Sequence, residues 1–327
     1  MGSCGCGQRT LTTRIAWWDV LGGWKVRWGF GRAQYKVAPG LYRVGVPDSD
    51  SPVLVTANYK LTVDAVRHSL VGLNVWLLVL DTKGVNVWCA AGKGTFGTAE
   101  LVRRIQAANL REVVKHRELV LPQLGATGVA AHEVKRATGF SVHYGPVRAC
   151  GIPAYLVAGM KATPAMRRVT FGWRERLAVA PVEIVAALGP LPAVAAFVAA
   201  LDVLRHRSLT AHALTGMLPF LAAVLTGTVL VPCFLPWLPF RAFALKGAVA
   251  GALVAAALFM WLPMGTVEGA GAALLVVAIT SYMAMTFTGS TTFTTLAGVR
   301  LEVRRALPLI LIAAGAGAIL RVAGAFL

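Results

Sequence analysis

The stretch Asn86-Val87-Trp88-Cys89-Ala90-Ala91-Gly92-Lys93 places a single cysteine between a buried-strand pattern and a helical one. Thiolate is the form of cysteine that binds soft metals, and a helix N-terminus favours negative charge. Gly92, Gly94 and Gly97 leave a bulky ligand room to approach the backbone. From its turn position alone, Cys89 reads equally well as a small buried hydrophobe, since free cysteine is usually buried and inert.

The other reactive residues offer less. Gly92-Lys93-Gly94-Thr95 resembles the end of a phosphate-binding loop. The Walker pattern, however, needs Gly where Val87 stands and Ser or Thr where Gly94 stands. Cys4 and Cys6 form a pair that could chelate a soft cation such as Hg(II), or two idle thiols on a flexible terminus. Cys150 and Cys233 read as packing residues. No CxxCxxC run is present, which excludes a four-cysteine iron–sulfur cluster with ferredoxin spacing. The five cysteines make no disulfide framework and fit a reducing cytosol. The six histidines lack metal-ligand spacing, and His116, His132 and His143 read as surface or capping residues. Glu183, near the start of an apolar span, is either a functional intramembrane acid or a side chain that reaches the interface.

The elements that must position Cys89 follow from the hydrophobic pattern. Residues 53–56 and 74–80 read as buried strands, followed by helices from 58 or 62 to 70 and from 99 to 110. A short strand over 118–121, a helix over 129–138 ended by Gly139, and a strand over 140–144 complete the alternation. Strands alternating with helices predict a parallel, Rossmann-like α/β sheet whose ligand sits beyond the strands' carboxyl ends. The turns at Asn58, Cys89, Leu124-Gly125 and Gly145 all fall at those ends.

Composition divides the chain. It is 57% hydrophobic, with a mean hydropathy of +0.66, too apolar for an ordinary soluble globule. Of its net charge of +18, residues 1–176 carry +14 and residues 177–327 carry +4. The expected organisation is a basic, Trp-rich strap over 1–39, a cytosolic domain over 40–165, a linker over 166–176 and an all-α membrane domain over 177–327. Five transmembrane helices are expected, at about 177–201, 213–232, 247–264, 269–288 and 306–327, each near the ~20 residues that cross a bilayer.

Residues 1–38 lack an apolar signal-peptide core, so the N-terminus is expected in the cytosol. Arg241, Lys246, Arg300, Arg304 and Arg305 then fall inside, and Arg205, Arg207 and Arg321 outside. This weak positive-inside bias predicts a multi-pass protein of the cytoplasmic membrane. The strap, where Trp17, Trp18, Trp24 and Trp28 alternate with basic residues, is either packed on the soluble domain or laid on the membrane surface. The hydroxyl-rich loop 288–295 is either a solvated turn or a docking edge for the soluble domain. Nucleic acid is not an expected partner, because the basic residues are scattered and no recognition motif accompanies them. An anionic leaflet or an acidic electron carrier accounts for the charge.

The octapeptide at 86–93 resembles the cap-helix motif of the mercury-methylating corrinoid proteins, membrane-bound relatives of the corrinoid iron–sulfur protein of the acetyl-CoA pathway. Residues 40–45, 51–60, 121–135 and 144–148 are similar to segments of the same corrinoid domain, so the resemblance covers roughly 20–150. It implies a cobalt corrinoid of the cobalamin type with Cys89 as its lower axial ligand and catalytic residue. Cofactor contacts are then assigned to Asn86, Val87, Trp88, Cys89, Ala90, Ala91, Gly92 and Lys93, and to Thr56, Asn58, Gly125 and Gly145. Lys93 is open between a contact to the corrinoid periphery and a solvated helix-start lysine.

The implied activity is a corrinoid-dependent methyltransferase that passes a methyl group from methyl-Co(III) to Hg(II), forming methylmercury. The methyl donor would be a methyl-folate or a donor protein. Unlike the soluble corrinoid iron–sulfur protein, this chain has no cluster spacing of its own. A ferredoxin-like partner with two 4Fe–4S clusters is therefore implied as reductant. Two alternatives remain: a membrane-bound methyl carrier of one-carbon metabolism, and a corrinoid-binding or transport module without methyl transfer.

Overall fold

Residues 53–57 and 75–80 are apolar at nearly every position and buried throughout, as central strands covered on both faces require. They are two strands of a six-stranded sheet: β1 (Arg9–Thr10), β2 (Gly40–Val44), β3 (Val53–Ala57), β4 (Val75–Leu80), β5 (Glu118–Leu121) and β6 (Ser141–Tyr144). The computed structural model describes residues 9–290 and 293–327. The chain divides into two compact units, the first ending at Val169 and the second beginning at Thr170.

In the first unit the strand order is β1-β2-β4-β3-β5-β6. The four strands β4, β3, β5 and β6 are mutually parallel, as the alternation predicts. The sheet as a whole is mixed, which the pattern did not predict, because β2 runs antiparallel to β4 with Leu41 opposite Leu78. Only alternate residues of β2, Tyr42 and Val44, are buried. Five residues of one-sided pattern, beginning at Gly40 and followed by Gly45, are too few to stand out in a sequence.

Helices cover both faces of the sheet. On one, α3 (Val87–Gly92), α4 (Thr98–Ala107), α5 (Leu110–Val113) and α6 (Ala131–Thr138) bury Ala90, Leu101, Leu110 and Val134 against Val55, Leu78 and Leu119. On the other, α2 (Lys60–Ser69) and α7 (Ile152–Val157) pack Val63 and Tyr155 against Leu54, Leu77 and Val120. Gly139 ends α6 at φ 78°, the left-handed cap glycine adopts without strain.

The N-terminal strap is part of this unit. Its helix α1 (Trp17–Arg27) is tied down by Asp19, which lies 2.6 Å from both Lys60 and Arg67. Lys60 and Arg67 also pair with Asp64 at 2.8 and 2.7 Å. Burial by itself would raise the Asp19 carboxyl. Hydrogen bonds from Lys60, the Ala16 amide and Arg67 outweigh it and hold the pKa at about 2.

The second unit is helical: α8 (Trp173–Leu177), α9 (Ala180–Leu188), α10 (Leu191–His206), α11 (His212–Leu225), α12 (Val231–Phe234), α13 (Phe243–Trp261), α14 (Thr266–Thr286) and α15 (Leu296–Gly324). A π-helical turn, Thr226–Leu230, joins α11 to α12. Four unbroken helices among the described residues are long and apolar enough to cross a membrane: His212–Phe234, Phe243–Trp261, Thr266–Thr286 and Ala297–Gly324. The expected first span at 177–201 falls on two helical segments, Trp173–Leu188 and Leu191–His206, bent by 53°, which make a fifth span if the pair is counted as one. Gly189, Pro190 and Pro192 account for the break, since proline supplies no amide to continue a helix.

Close helix packing depends on small residues. A Cβ added to Gly317 of α15 would stand 2.9 Å from the Gly271 carbonyl oxygen of α14, the close backbone approach that glycine permits between packed helices. Glu268 takes ion pairs from Arg205 and Arg321 at 2.7 and 2.8 Å. Glu183 accepts from the Thr286 hydroxyl at 3.5 Å. In the hydroxyl-rich loop Thr288 is buried, and residues 291 and 292 lie outside the described residues.

Candidate functional site

The chain leaves β3 toward β4 on one side and returns to β5 on the other, so β3 and β5 bound a topological switch point. Open α/β sheets bind ligands in the crevice beyond the strand ends at such a point. The two strands are in register at Leu54 and Val120. A cleft of about 370 Å³ lies along their carboxyl-terminal halves, walled by Thr56, Thr62, Val87, Trp88, Leu121 and Pro146 among others. Its wall is predominantly apolar. The hydroxyl of Thr56 is buried there and has no hydrogen-bond partner among the described residues. A buried unpaired hydroxyl is costly unless a ligand or water satisfies it.

The loop from β4 to α3 is clamped from beneath. Asn58 Oδ1 accepts from the amides of Thr82 and Gly84 at 3.1 and 2.9 Å, and its Nδ2 donates to Asp81 at 3.2 Å. The Thr82 hydroxyl donates to the Val85 carbonyl at 2.6 Å. The Asp81 amide donates to Glu100 of α4 at 2.8 Å. Burial opposes the charged form of Glu100, yet the Asp81 amide and the Arg104 and Arg103 guanidinium groups keep its pKa below the ordinary glutamate value. Asp81 is likewise held below its usual range, mainly by the Lys83 ammonium.

Asn86 opens α3 as its N-cap, and its side chain accepts the Cys89 amide at 2.9 Å. Val87, Ala90 and Ala91 face the core, which turns Trp88, Cys89, Gly92 and Lys93 outward. The Cys89 thiol is free and exposed, one residue beyond the Trp88 wall of the cleft. A second loop braces the helix. A Cβ on Gly128 would lie 2.2 Å from the Phe96 carbonyl and 3.0 Å from the Ala91 Cα, so this position admits only glycine.

Of the residues assigned from sequence, Thr56, Asn86, Val87 and Trp88 come together on the cleft, with Cys89, Gly92 and Lys93 on the adjoining outer face of α3. Ala90 and Ala91 pack inward beneath them. Asn58 is 1% exposed and wholly engaged in the loop clamp, so it positions α3 rather than lining the cleft. Gly125 and Gly145 serve packing. A Cβ at these positions would meet Phe96 Cε1 at 2.5 Å and Val120 Cγ1 at 3.0 Å. Cys150 is exposed in a 3₁₀ turn, Ala149–Gly151, rather than packed inside as expected, and Cys233 is half-buried. Cys4 and Cys6 lie outside the described residues.

Sequence reading missed Thr82, Glu100 and Gly128. Their roles arise from contacts 19 to 37 positions away in the chain, and no local pattern marks them.

Among the described residues, no group of three or more His, Cys, Asp or Glu side chains could hold a metal ion by itself. A single exposed thiol is nevertheless a sufficient donor for a metal whose equatorial positions a macrocycle already fills. Beside an apolar cleft with one unsatisfied hydroxyl, that donor set fits a large, flat, metal-bearing cofactor.

Residues 30–156 match the family described as CO dehydrogenase/acetyl-CoA synthase delta subunit. The chain is 39% identical over 128 residues to the acetyl-CoA decarbonylase/synthase complex subunit gamma of Methanopyrus kandleri, covering 38% of this chain and 27% of that protein. It is 35% identical over 127 residues to the subunit of the same name from Archaeoglobus fulgidus, with the same coverage. It is 30% identical over 127 residues to the corrinoid/iron-sulfur protein large subunit of Moorella thermoacetica, 38% of this chain and 28% of that one. The chain thus spans little more than a quarter of the length of these relatives. The stretch matched by the family lies within the first unit.

Proposed function

We propose that the first unit binds a cobalt corrinoid over the carboxyl ends of β3 and β5, with Cys89 as lower axial ligand, and that the chain carries a methyl group to an acceptor. The observation that carries this reading is the exposed Cys89 thiol on α3 beside the Trp88-walled cleft and its unpartnered Thr56 hydroxyl. The similarity of residues 30–156 to proteins of acetyl-CoA decarbonylase/synthase complexes supports the cofactor class. When bound, the corrinoid supplies a metal centre able to accept and release a methyl group.

The chain's own residues have distinct tasks. Asn86 holds the Cys89 amide and so fixes where the sulfur emerges. Trp88 and Val87 wall one edge of the cleft and would exclude water there, and the buried Thr56 hydroxyl would be available to an acceptor on the ligand. The Cys89 sulfur would hold the corrinoid metal, and a soft, electron-rich donor there would favour methyl transfer to an electrophile. Hg(II), a soft electrophile, is the proposed acceptor, and methylmercury the product. A ferredoxin-like partner with two 4Fe–4S clusters would supply the electrons that the cofactor needs between transfers. The long apolar helices of the second unit hold the chain in the cytoplasmic membrane, with the corrinoid unit in the cytosol.

A second reading rests on the named relatives: a membrane-bound methyl carrier of one-carbon metabolism for which Hg(II) is an incidental acceptor. Methyl transfer to a biological acceptor far faster than to Hg(II) selects it.

The test is a comparison of UV–visible and EPR spectra of protein purified with corrinoid, wild type against Cys89→Ala. Loss of a cysteine-ligated Co(III) spectrum in the variant is the expected result. Identical spectra overturn the axial role of Cys89, and the absence of bound corrinoid overturns the whole reading.

A further inference from the structure

Helix α1 has two opposed faces. Asp19, Gly23 and Val26 turn inward onto the first unit. Trp17, Leu21, Trp24 and Trp28 follow one another at four, three and four residues, a single stripe on a helix. That stripe points away from the unit, with the four side chains 68, 56, 66 and 39% exposed. Phe30 extends it just past the helix end, 57% exposed. Lys25 and Arg27 flank the stripe on either side, and Arg14 and Arg32 lie exposed at its ends. Asp19 is the only acidic residue among residues 1–47, and it is committed to the inward face.

An outward stripe of indoles is a contact surface rather than part of the core, which this unit closes without it. Indoles combine a large apolar body with one N–H donor and favour the headgroup layer of a bilayer. Cations on both flanks with no exposed acid suit an anionic leaflet. Four helices long and apolar enough to cross a bilayer lie in the same chain among the described residues, and the inference rests on the proposed membrane placement of those helices.

We infer that α1 is a second, non-spanning membrane contact. Its Trp17, Leu21, Trp24 and Trp28 face enters the headgroup layer of an anionic bilayer, with Lys25 and Arg27 against lipid phosphates. Because α1 is ion-paired through Asp19 to Lys60 and Arg67 of α2, whose Thr62 walls the corrinoid cleft, the contact would fix the orientation of this unit at the membrane surface. The inference does not depend on which cofactor the cleft holds.

The experiment places the photo-crosslinker benzoylphenylalanine at Leu21 of the full chain in nanodiscs, with the same group at the exposed Glu133 of α6 as control. Adducts are identified by mass. The expected result is a lipid adduct at position 21, severalfold more abundant in discs with phosphatidylglycerol than in neutral discs, and scarce at position 133. K25E/R27E should lower the lipid adduct on anionic discs roughly tenfold. A protein adduct at position 21, or lipid labelling no greater than at position 133, overturns the inference.

Discussion

The Asn86 side-chain oxygen accepts the Cys89 amide at 2.9 Å, so the residue that starts α3 also sets the orientation of the turn bearing the thiol. Asn86→Ala removes that N-cap and should cost about 1 kcal/mol of stability. Corrinoid affinity should fall as well, while Asn86→Ser retains most of both. Thermal unfolding and corrinoid titration of the two variants check this.

Thr56→Val replaces an unpaired buried hydroxyl with a methyl of the same shape. Stability of the ligand-free protein should stay the same or rise, by up to about 1 kcal/mol. Corrinoid affinity should drop by roughly fivefold to tenfold if the hydroxyl donates to the ligand. Parallel denaturation and binding measurements separate these effects, and a loss of stability without a loss of affinity would count against Thr56 as a contact.

Asn58→Ala deletes the hub of the loop that leads to α3. Two backbone amides and a carboxylate lose their partner in a buried place, a destabilisation on the order of 2–3 kcal/mol. Hydrogen exchange of residues 81–86 should accelerate selectively, with β3 and β4 keeping their protection.

Asp19 makes the seating of α1 sensitive to acid. Its folded pKa of about 2 lies below the ordinary 3.8. The carboxylate therefore contributes stability that is fully present above about pH 4 and is lost as pH falls through 2. Asp19→Asn should abolish that acid dependence. It should also destabilise the unit by roughly 3 kcal/mol, because Arg67 is left buried short of a counter-charge. Urea unfolding of both proteins between pH 2 and 7 tests the slope.

Much of the strand framework can be read without coordinates. Continuous apolar runs such as 75–80 are strands buried on both faces, and the 118–121 strand has the expected bounds. The break that holds Cys89 was recognisable, since a strand pattern gives way to glycines and then to helical spacing, but Cys89 stands inside the short helix α3 rather than in a turn, because Asn86 caps a helix that starts at Val87. β2 was not, because it buries only alternate residues, Tyr42 and Val44, over five positions. The break in the first apolar span was written in Gly189-Pro190, but a window of mean hydropathy passes over it.

Sequence alone therefore determined the parallel strands β3 to β6 and the main helices between them, where the thiol falls among them, and that the second half is apolar enough for a membrane. These are local properties of pattern and propensity. Only the tertiary structure decided that β5 lies on the far side of β3 and opens a cleft there, that Asn58 supports a loop rather than lining that cleft, and that the Thr56 hydroxyl is buried unpaired within it. The same holds for the indole stripe. Its spacing is visible in the chain, but the pairing of Asp19 with Arg67, 48 residues away, selects which face of α1 is buried. Contacts between residues distant in sequence leave no local signature, and they are what turn a pattern into a site.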